Sequence, residues 1–478
     1  MISEPKRMHP AGAILNFIKH LKDLIFPALL FVFIGDDGVY RFYAILGFGV
    51  IIIALILSSI ISWWKFTYRI ESGELRIEHG LFVKKKRYIP IERIQTINSS
   101  AGIIQQLFGL VKLQIETAGG DLQAEAELTA ISKKEADRIR EALALHKQTL
   151  TPNKEEIVDE ETSSSKVYKM GMKELVVAAS TSSGIGVVLS ASFAFLSQFD
   201  ELIPYDRIVD RFEFLANASI TVYAVLAFIA FFIAWIFSIV GVLLKYAFFT
   251  VKKGEKELMI SRGIFEKHQL TIPNDRIQAI RISENLIRQP LGYATVFIES
   301  ASGSAGDDGV STILFPLIKK DQITEFLTEF TPDFQHIKEF HPLPKRALKR
   351  SIFRYTLPFV IVGALACIFL RPWGFFSLLL IPIGILYGVL TFKDAGWKIH
   401  ELQLSLSFRF ITKTTVLIHK KRMQVLKNST SILQKRLALK TVITSIKSGL
   451  MGKHFSLKDI DQKDSEKIYN WFSYEKNE

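Results

Sequence analysis

Cysteine is almost absent from the sequence: Cys367 is the single one among 478 residues. One cysteine excludes an intramolecular disulfide framework and a thiolate metal cage. It stands inside an apolar run, where cysteine usually acts as a small buried hydrophobic residue. The ten histidines are scattered, without HExxH or another paired spacing. The sequence therefore predicts neither a metal site nor a cofactor.

Motifs of catalysis and nucleotide binding are also missing. The chain has no GxSxG, Walker or GxGxxG segment. The glycine-rich stretch Gly303–Gly309 lies beside the turn of a predicted hairpin, where a need for positive φ explains glycine better than a phosphate cradle does. The acidic segment Gly35–Gly38 could bind a cation or a cationic peptide, but a solvated loop is the simpler interpretation. We therefore predict a protein that is not an enzyme.

Charge is missing from six long stretches that contain no Asp, Glu, Lys or Arg. These are Leu24–Ile34, Phe42–Trp64, Leu175–Phe199, Ala218–Leu244, Tyr355–Leu370 and Gly374–Phe392. A membrane helix needs about 20 apolar residues, and four of the runs approach or exceed that length. Leu24–Ile34 is short and contains Pro27, so it spans only if the preceding turn joins it. The runs come in pairs, which predicts six transmembrane helices in three hairpins.

The position of the basic charge predicts the orientation of these hairpins. The short links inside the pairs together carry a net charge of −3, whereas the whole chain carries +13. Basic flanks remain in the cytoplasm, so both termini and all large segments are expected there. The excess charge then faces anionic inner-leaflet lipid, and no recognition-helix or basic–aromatic pattern indicates nucleic acid.

An unusual phrase, Ile-Pro-x-x-Arg-Ile-Gln, occurs twice and marks an internal repeat. Gly80 and Gly263 stand 15 residues before its glutamine, Gln95 or Gln278, and other positions also keep their register. A third copy places Gln424 at the same position but has lost the proline. Each copy follows a helix pair, so the chain consists of three repeated units.

Each repeated unit is predicted to carry a strand-rich domain after its helix pair. Alternating residues surround Ser72-Gly73 in the first copy, and Gly119-Gly120 marks a further hairpin. An amphipathic helix ends each domain, opened in the first copy by a capping box from Ser132 to Glu135. The expected domain is a small split β-barrel closed by this helix. The predicted boundaries are helix hairpins at 21–64, 173–245 and 352–393, strand-rich domains at 65–147, 246–331 and 394–474, and linkers at 148–170 and 332–350.

The first strand-rich domain, Trp64–Leu143, resembles the bacterial pleckstrin-homology-like (PH-like) domain family. The resemblance is carried by YRIESGELRIEHGLF, IPIERIQTI, QQLFGL and ETAGG. Three such domains, each after a helix pair, are similar to membrane proteins of the YdbT type. The resemblance implies an α-helical membrane part joined to three PH-like barrels, located in a bacterial cell membrane. It also implies a smaller PH-like membrane protein of the YdbS type as partner, and an association with envelope stress and antimicrobial-peptide tolerance.

Two groups of residues are candidate interaction sites. The repeated phrase contributes Pro90, Arg93, Gln95, Pro273, Arg276, Gln278 and Gln424. These residues either have a structural role, in which glutamine bonds to backbone, or form a docking face. The basic tracts contribute Lys84, Lys85, Lys86, Arg87, Lys420, Lys421 and Arg422. Contact with anionic lipid explains the tracts sufficiently, and specific headgroup binding is the alternative.

These patterns together favour a multi-pass membrane scaffold or accessory protein, and the family resemblance implies that it acts in envelope defence. An exporter-like or lipid-handling protein is the alternative, although no nucleotide motif or intramembrane charge supports active export. Small residues at helix-packing spacing, such as Gly384 and Gly388, suggest packing inside a hairpin or a seam between copies. A homo-oligomer therefore also remains open.

Overall fold

The computed structural model describes residues 4–34, 39–81, 83–117, 126–149, 166–182, 219–301, 311–370, 373–448 and 452–473. The chain forms two compact units, the first mostly from residues up to Thr271 and the second mostly from Ile272 onward. The α-helices are α1 (Ala11–Ile34), α2 (Val39–Lys65), α3 (Ile103–Leu107), α4 (Lys133–Thr149), α5 (Met172–Ser180), α6 (Ile220–Tyr246), α7 (Ile323–Phe330), α8 (Arg346–Phe369), α9 (Leu380–Asp394), α10 (Ile432–Arg436) and α11 (Gln462–Ser473).

Four helical segments of the described chain are long and apolar enough to cross a membrane: Ile45–Lys65, Thr221–Tyr246, Arg346–Phe369 and Gly374–Asp394. The predicted number was six. The short run at Leu24–Ile34 lies in α1, whose earlier turns carry charged residues, and α1 is not among the four. The run Leu175–Phe199 begins in α5 and continues outside the described residues. Apolar membrane helices are thus confirmed, and four of the six predicted spans are accounted for.

The third helix hairpin shows how small residues are used. A Cβ added to Gly388 of α9 would lie 2.7 Å from the Ile352 Cα of α8 and 3.1 Å from the Ser351 carbonyl oxygen. The Ser351 hydroxyl donates to the Gly388 carbonyl at 2.8 Å. Such close backbone approach is typical of small-residue faces in membrane helices. The Gly384–Gly388 face therefore packs inside the hairpin.

The strands of the first unit form a four-stranded and a seven-stranded antiparallel sheet. The four-stranded sheet has the order β1 (Lys6–Arg7), β2 (Thr67–Glu71), β3 (Glu74–His79), β4 (Lys85–Pro90). The seven-stranded sheet has the order β7-β6-β5-β11-β10-β9-β8, with β5 (Ile94–Ala101), β6 (Leu110–Thr117), β7 (Ala126–Ser132), β8 (Val167–Lys169), β9 (Thr250–Lys253), β10 (Glu257–Arg262) and β11 (Lys267–Pro273).

The second unit contains a seven-stranded and a three-stranded sheet. The seven-stranded sheet has the order β14-β13-β12-β18-β17-β16-β15, with β12 (Ile277–Glu284), β13 (Tyr293–Ser300), β14 (Ser311–Lys319), β15 (His341–Pro342), β16 (Gly396–His400), β17 (Gln403–Arg409) and β18 (Lys413–His419). The three-stranded sheet has the order β19 (Met423–Ser429), β20 (Leu439–Ile446), β21 (Lys453–Asp461).

Local turn chemistry explains the predicted hairpins. Ser72 and Gly73 adopt positive φ angles of 52° and 77°, as a two-residue turn requires, and they join β2 to β3. The strands β6 and β7 also pair as expected. The Ser72-Gly73 hairpin is therefore confirmed, and so is the pairing of β6 with β7, while the predicted Gly119-Gly120 turn lies outside the described residues.

The domain of each repeat contains six strands. Three of them precede the repeated phrase and three follow it. The first three strands of a domain belong to one sheet and the last three to another. The sequence predicted a small split barrel for each domain. The structure adds that sheets are shared between domains, because the third strand of one domain pairs with the fourth strand of the preceding domain. Helices follow the last strands, and Ile139, Leu327 and Ile468 on these helices are buried.

In each repeat, a short strand pair joins the segment before the helical part to the first strand after it. The segment before the helices and the first strand after them are antiparallel neighbours in every repeat, as β1–β2, β8–β9 and β15–β16. In the first repeat, the Trp63 indole also donates to the Met8 carbonyl at 2.8 Å. In each repeat the strand-rich domain therefore begins directly after the helix that precedes it.

Candidate interaction surface

The repeated phrase forms a corner between two sheets. Pro90 and Pro273 end β4 and β11, and a single 3-10 turn then leads into β5 or β12. The fixed φ of proline, −59° and −62° here, suits the end of a strand. The first residue after each proline donates its backbone N–H to the turn between the first two strands: Ile91 to Gly73 and Asn274 to Lys256, each at 2.9 Å.

The third copy forms the same corner without the proline. His419 stands at the proline position, and Lys420–Arg422 form the 3-10 turn. The Lys420 N–H donates to the Leu402 carbonyl at 2.7 Å, at the equivalent repeat position. Arg422 occupies the position of Arg93 and Arg276, so of the proline and the arginine only the proline is replaced, and the backbone geometry of the corner survives that replacement.

The repeated glutamine stands at a β-bulge in all three copies. The register between the fourth and fifth strands shifts between Ile94 and Thr96, between Ile277 and Ala279, and between Met423 and Val425. An extra residue at a bulge bends the strand and redirects it. Gln278 is buried, and its Nε2 donates to the Arg276 carbonyl at 3.2 Å. Gln424 is exposed, and the side chain of Gln95 lies outside the described residues.

The arginines of the phrase point toward solvent to different degrees. Arg93 is exposed and Arg276 is half-buried, each in the 3-10 turn of its corner. The Arg276 carbonyl accepts the backbone N–H of Ala301 at 3.1 Å, which ties the turn to the end of β13. The backbone of this turn is thus integrated into the sheet.

A buried carboxylate lies behind the corner in the first two copies. Glu116 accepts hydrogen bonds from the Thr96 hydroxyl at 2.8 Å and from the Asn98 amide at 3.0 Å. Burial raises the pKa of Glu116, and these two hydrogen bonds oppose the rise. The third copy has Ser445 at this position, hydrogen-bonded to His454 at 2.7 Å.

The equivalent carboxylate of the second copy, Glu299, is in a charged environment. It is 0% exposed, and Arg281 Nε and Lys453 Nζ contact its Oε1 at 2.7 and 2.8 Å. Ser311 donates to Oε2 at 2.8 Å. Burial lowers the pKa of Lys453, while the neighbouring Glu299 counteracts that effect. Lys453 belongs to β21 of the third domain, so this buried cluster links the second and third domains.

Consecutive domains are joined by backbone pairing. In the first unit β5 pairs with β11, and Asn98 Oδ1 accepts the Thr271 N–H at 3.3 Å. In the second unit β12 pairs with β18 over six residue pairs. Glu284 lies opposite Lys413 at the end of this ladder, and their charged groups are 3.6 Å apart. Each joint between consecutive domains is therefore formed by an antiparallel strand pair, with one strand from each domain.

A second repeated glutamine strengthens both joints, and the motif search missed it. The Gln106 amide donates to the carbonyls of Ile264 and Phe265 in the next domain, at 2.9 Å each. Gln289, at the same repeat position, accepts from Arg409 of its next domain. The signal was available in the sequence, because both residues stand 11 positions after the glutamine of the phrase.

The two basic tracts occupy different places. Lys84–Arg87 are exposed, Lys84 pairs with Glu78 at 2.6 Å, and Lys65 at the end of α2 donates to the Leu81 carbonyl at 2.7 Å. This first tract therefore starts beside the end of a membrane helix. Lys420–Arg422 follow the seven-residue strand β18, whose length is about 23 Å at 3.3 Å per residue. The two tracts therefore occupy different positions within their repeats, one at the start of the third strand and one after its end.

Comparison with known proteins agrees with this architecture. The bacterial PH domain family matches residues 26–147, 196–331 and 352–476. The chain is 49% identical over 490 residues to the UPF0699 transmembrane protein YdbT of Bacillus subtilis (strain 168), covering 100% of this chain and 99% of that protein. It is 27% identical over 77 residues to the UPF0699 transmembrane protein YdbS of the same organism, covering 16% of this chain and 46% of that protein. The chain therefore belongs to the bacterial PH domain family, as a membrane protein that carries the domain in three successive copies.

Proposed function

We propose that this protein is a non-enzymatic membrane scaffold, in which PH-like domains are joined in series at the membrane surface. The observation that carries the proposal is the shared ladder between consecutive domains, used as β5–β11 and as β12–β18. Ladder pairing gives affinity through the backbone, and neighbouring side chains give specificity. The domains of this chain thus use their sheet edges to bind other PH-like domains.

We propose that the repeated phrase serves this docking indirectly. Pro90, Arg93 and Gln95 in the first copy, Pro273, Arg276 and Gln278 in the second, and Gln424 in the third form the corner that precedes the fourth strand. The bulge at the glutamine bends that strand just before it reaches the next domain. The phrase is then a positioning element for the docking edge.

We further propose a cytoplasmic location for both termini and the domains, with Lys84–Arg87 in contact with anionic lipid. The basic excess of the chain and the bond from Lys65 to the Leu81 carbonyl support this placement. Each basic group near the surface contributes about 1 kcal/mol. The distance of Lys420–Arg422 from the helix end makes lipid contact there weaker.

The lipid contact is testable with the full chain in nanodiscs. In anionic lipid we expect slower amide exchange in β3 and β4 than in zwitterionic lipid, because the adjoining tract is held at the surface. Replacing Lys84, Lys85, Lys86 and Arg87 by serine should remove this difference. The matched control replaces Lys420, Lys421 and Arg422 by serine and should retain it. Equal exchange in both lipids for the unaltered chain would argue against lipid contact.

The biological role that we propose is defence of the cell envelope against membrane-active peptides, together with a smaller PH-like membrane protein. Its support is the family resemblance and the existence of the relative YdbS, which matches a single domain-sized region.

Growth of a deletion strain on a panel of membrane-active peptides tests this role. We expect hypersensitivity to at least one peptide, restored by the wild-type gene. Complementation by a Gln106→Ala/Gln289→Ala variant should be weaker, since both joints lose a side-chain contact. Unchanged growth of the deletion strain on every peptide would remove the defence role and leave the scaffold proposal to be tested by itself.

A further inference from the structure

The third strand of the PH-like domain occurs in three settings. In the third domain it is β18, which pairs with β12 over six residues, and Thr414–Ile418 are buried. In the second domain it is β11, which pairs with β5 over three residues and is half-buried there. In the first domain it is β4, which within the described chain pairs only with β3, and its residues Lys85–Tyr88 are all exposed.

The burial of the fourth strand changes in the opposite direction along the chain. In the second domain it is β12, of which six of eight residues are buried. In the third domain it is β19, which has β20 as its neighbour in the described part of the chain. Gln424, Val425 and Lys427 are exposed there, Val425 to 51%. The chain thus presents one edge of each type: a third strand at the first domain and a fourth strand at the last.

The two internal joints use one register. The residue 11 positions before the phrase glutamine lies opposite the residue six positions after the glutamine of the preceding domain. These pairs are Lys267 with Ala101 and Lys413 with Glu284. A register that is repeated in both joints is a property of the domain type, and it predicts how a further domain would add.

We propose that β19 of one copy pairs with β4 of a second copy, so that the protein associates head to tail. In the register of the internal joints the facing residues are Lys84 with Thr430, Lys85 with Ser429, Lys86 with Asn428, Arg87 with Lys427, Tyr88 with Leu426 and Ile89 with Val425. Such heterologous contact gives a ring where the rotation closes and a row where it does not.

A second copy is the occupant because this chain carries both halves of the joint. Each internal joint already connects two domains of the same kind, and the same joint between copies would use the same backbone pairing. Tyr88 and Val425, both 51% exposed, would gain apolar neighbours across the ladder. Lys435 stands at the repeat position of Gln106, whose side-chain amide donates to the next domain, and the lysine ammonium group is also a donor.

One pair of facing residues would weaken the contact between copies. A substitution in this pair should therefore change the strength of association. Arg87 would lie opposite Lys427, and like charges directly opposite weaken a ladder. Basic residues on β4 also hinder indiscriminate edge pairing, a common protection of open edges. A Lys427→Glu substitution should therefore strengthen association by about two- to fivefold in dissociation constant.

Disulfide formation between two tagged copies in isolated membranes tests the proposal. Both copies carry Cys367→Ser; one carries Lys85→Cys and the other Ser429→Cys. Facing Cα atoms in a ladder are about 4.5–5.5 Å apart, within disulfide range. Mild oxidation should give a product of twice the mass with both tags. A copy with Asn428→Cys in place of Ser429→Cys is one residue out of register and should give little product.

A second cysteine pair within one chain serves as a positive control for disulfide formation in this register. His268→Cys with Ser100→Cys in one chain occupies the equivalent positions of a known joint and should form an intrachain disulfide. If this reference forms and the Lys85→Cys/Ser429→Cys product does not, head-to-tail association is wrong. Equal product from the out-of-register pair, no gain with Lys427→Glu, or a product with a smaller protein in place of a second copy would also overturn it.

Discussion

Replacing Glu299 by glutamine is expected to destabilise the second unit by about 3 kcal/mol, because Arg281 and Lys453 would then lack their shared partner. Glu299 is fully buried, so water cannot replace the lost carboxylate charge. Amide exchange of β13 and β14 in the full-length protein measures the free energy of local opening there. Ser311, Arg281 and Lys453 are unchanged in this variant, so the substitution measures the effect of the Glu299 charge alone.

Glu116→Gln is the matched control for this prediction. Its partners, Thr96 and Asn98, are neutral. Burial raises the pKa of Glu116, so the folded state favours the protonated carboxyl, and stability is lost as the pH rises from the ordinary glutamate pKa to this raised pKa. Glutamine removes this cost, and we expect a change within about 1 kcal/mol. Equal losses of protection in the two variants would contradict the distinction between the neutral and the charged cluster.

The second large effect is expected at the third helix hairpin. In Gly388→Ile the new side chain would collide with the α8 backbone, since even a Cβ lies 2.7 Å from the Ile352 Cα. The helices must separate, and overpacking of this kind costs about 1–3 kcal/mol. The loss should appear as a lower melting temperature of the detergent-solubilised protein.

Gly241→Ile provides the control for the hairpin. Gly241 lies in α6 and has no atom within 4 Å of a Cβ built there. Its replacement should leave the melting temperature close to that of the wild type. A Gly388→Ile protein that melts like Gly241→Ile would show that α8 and α9 do not pack through this face.

Features that depend on neighbouring residues could be predicted from the sequence. The Ser72-Gly73 turn requires positive φ and was recognised from its residues, and the spacing around Gln95, Gln278 and Gln424 identified the repeats before their corners were known. The membrane helices followed from long runs without charge. In each case the physical cause lies within a few residues of the signal.

Features that depend on distant partners could not be predicted. Nothing in KHQLT or KTTVL indicates that β11 and β18 pair with a preceding domain, because any alternating strand can pair with several others. The buried state of Glu299 depends on Lys453, which lies 154 positions further along. Only the assembled sheets explain why the Glu299 carboxylate is buried.

The central claim is that consecutive domains share a ladder in a fixed register, and disulfide formation between β12 and β18 tests it most directly. In a Cys367→Ser background, Ser283→Cys with Thr414→Cys places two thiols on facing residues. The account predicts that mild oxidation of membranes protects both thiols from maleimide, while Ser283→Cys with Thr415→Cys stays reactive. Reactive thiols in the first pair, or equal protection in the second, would contradict it.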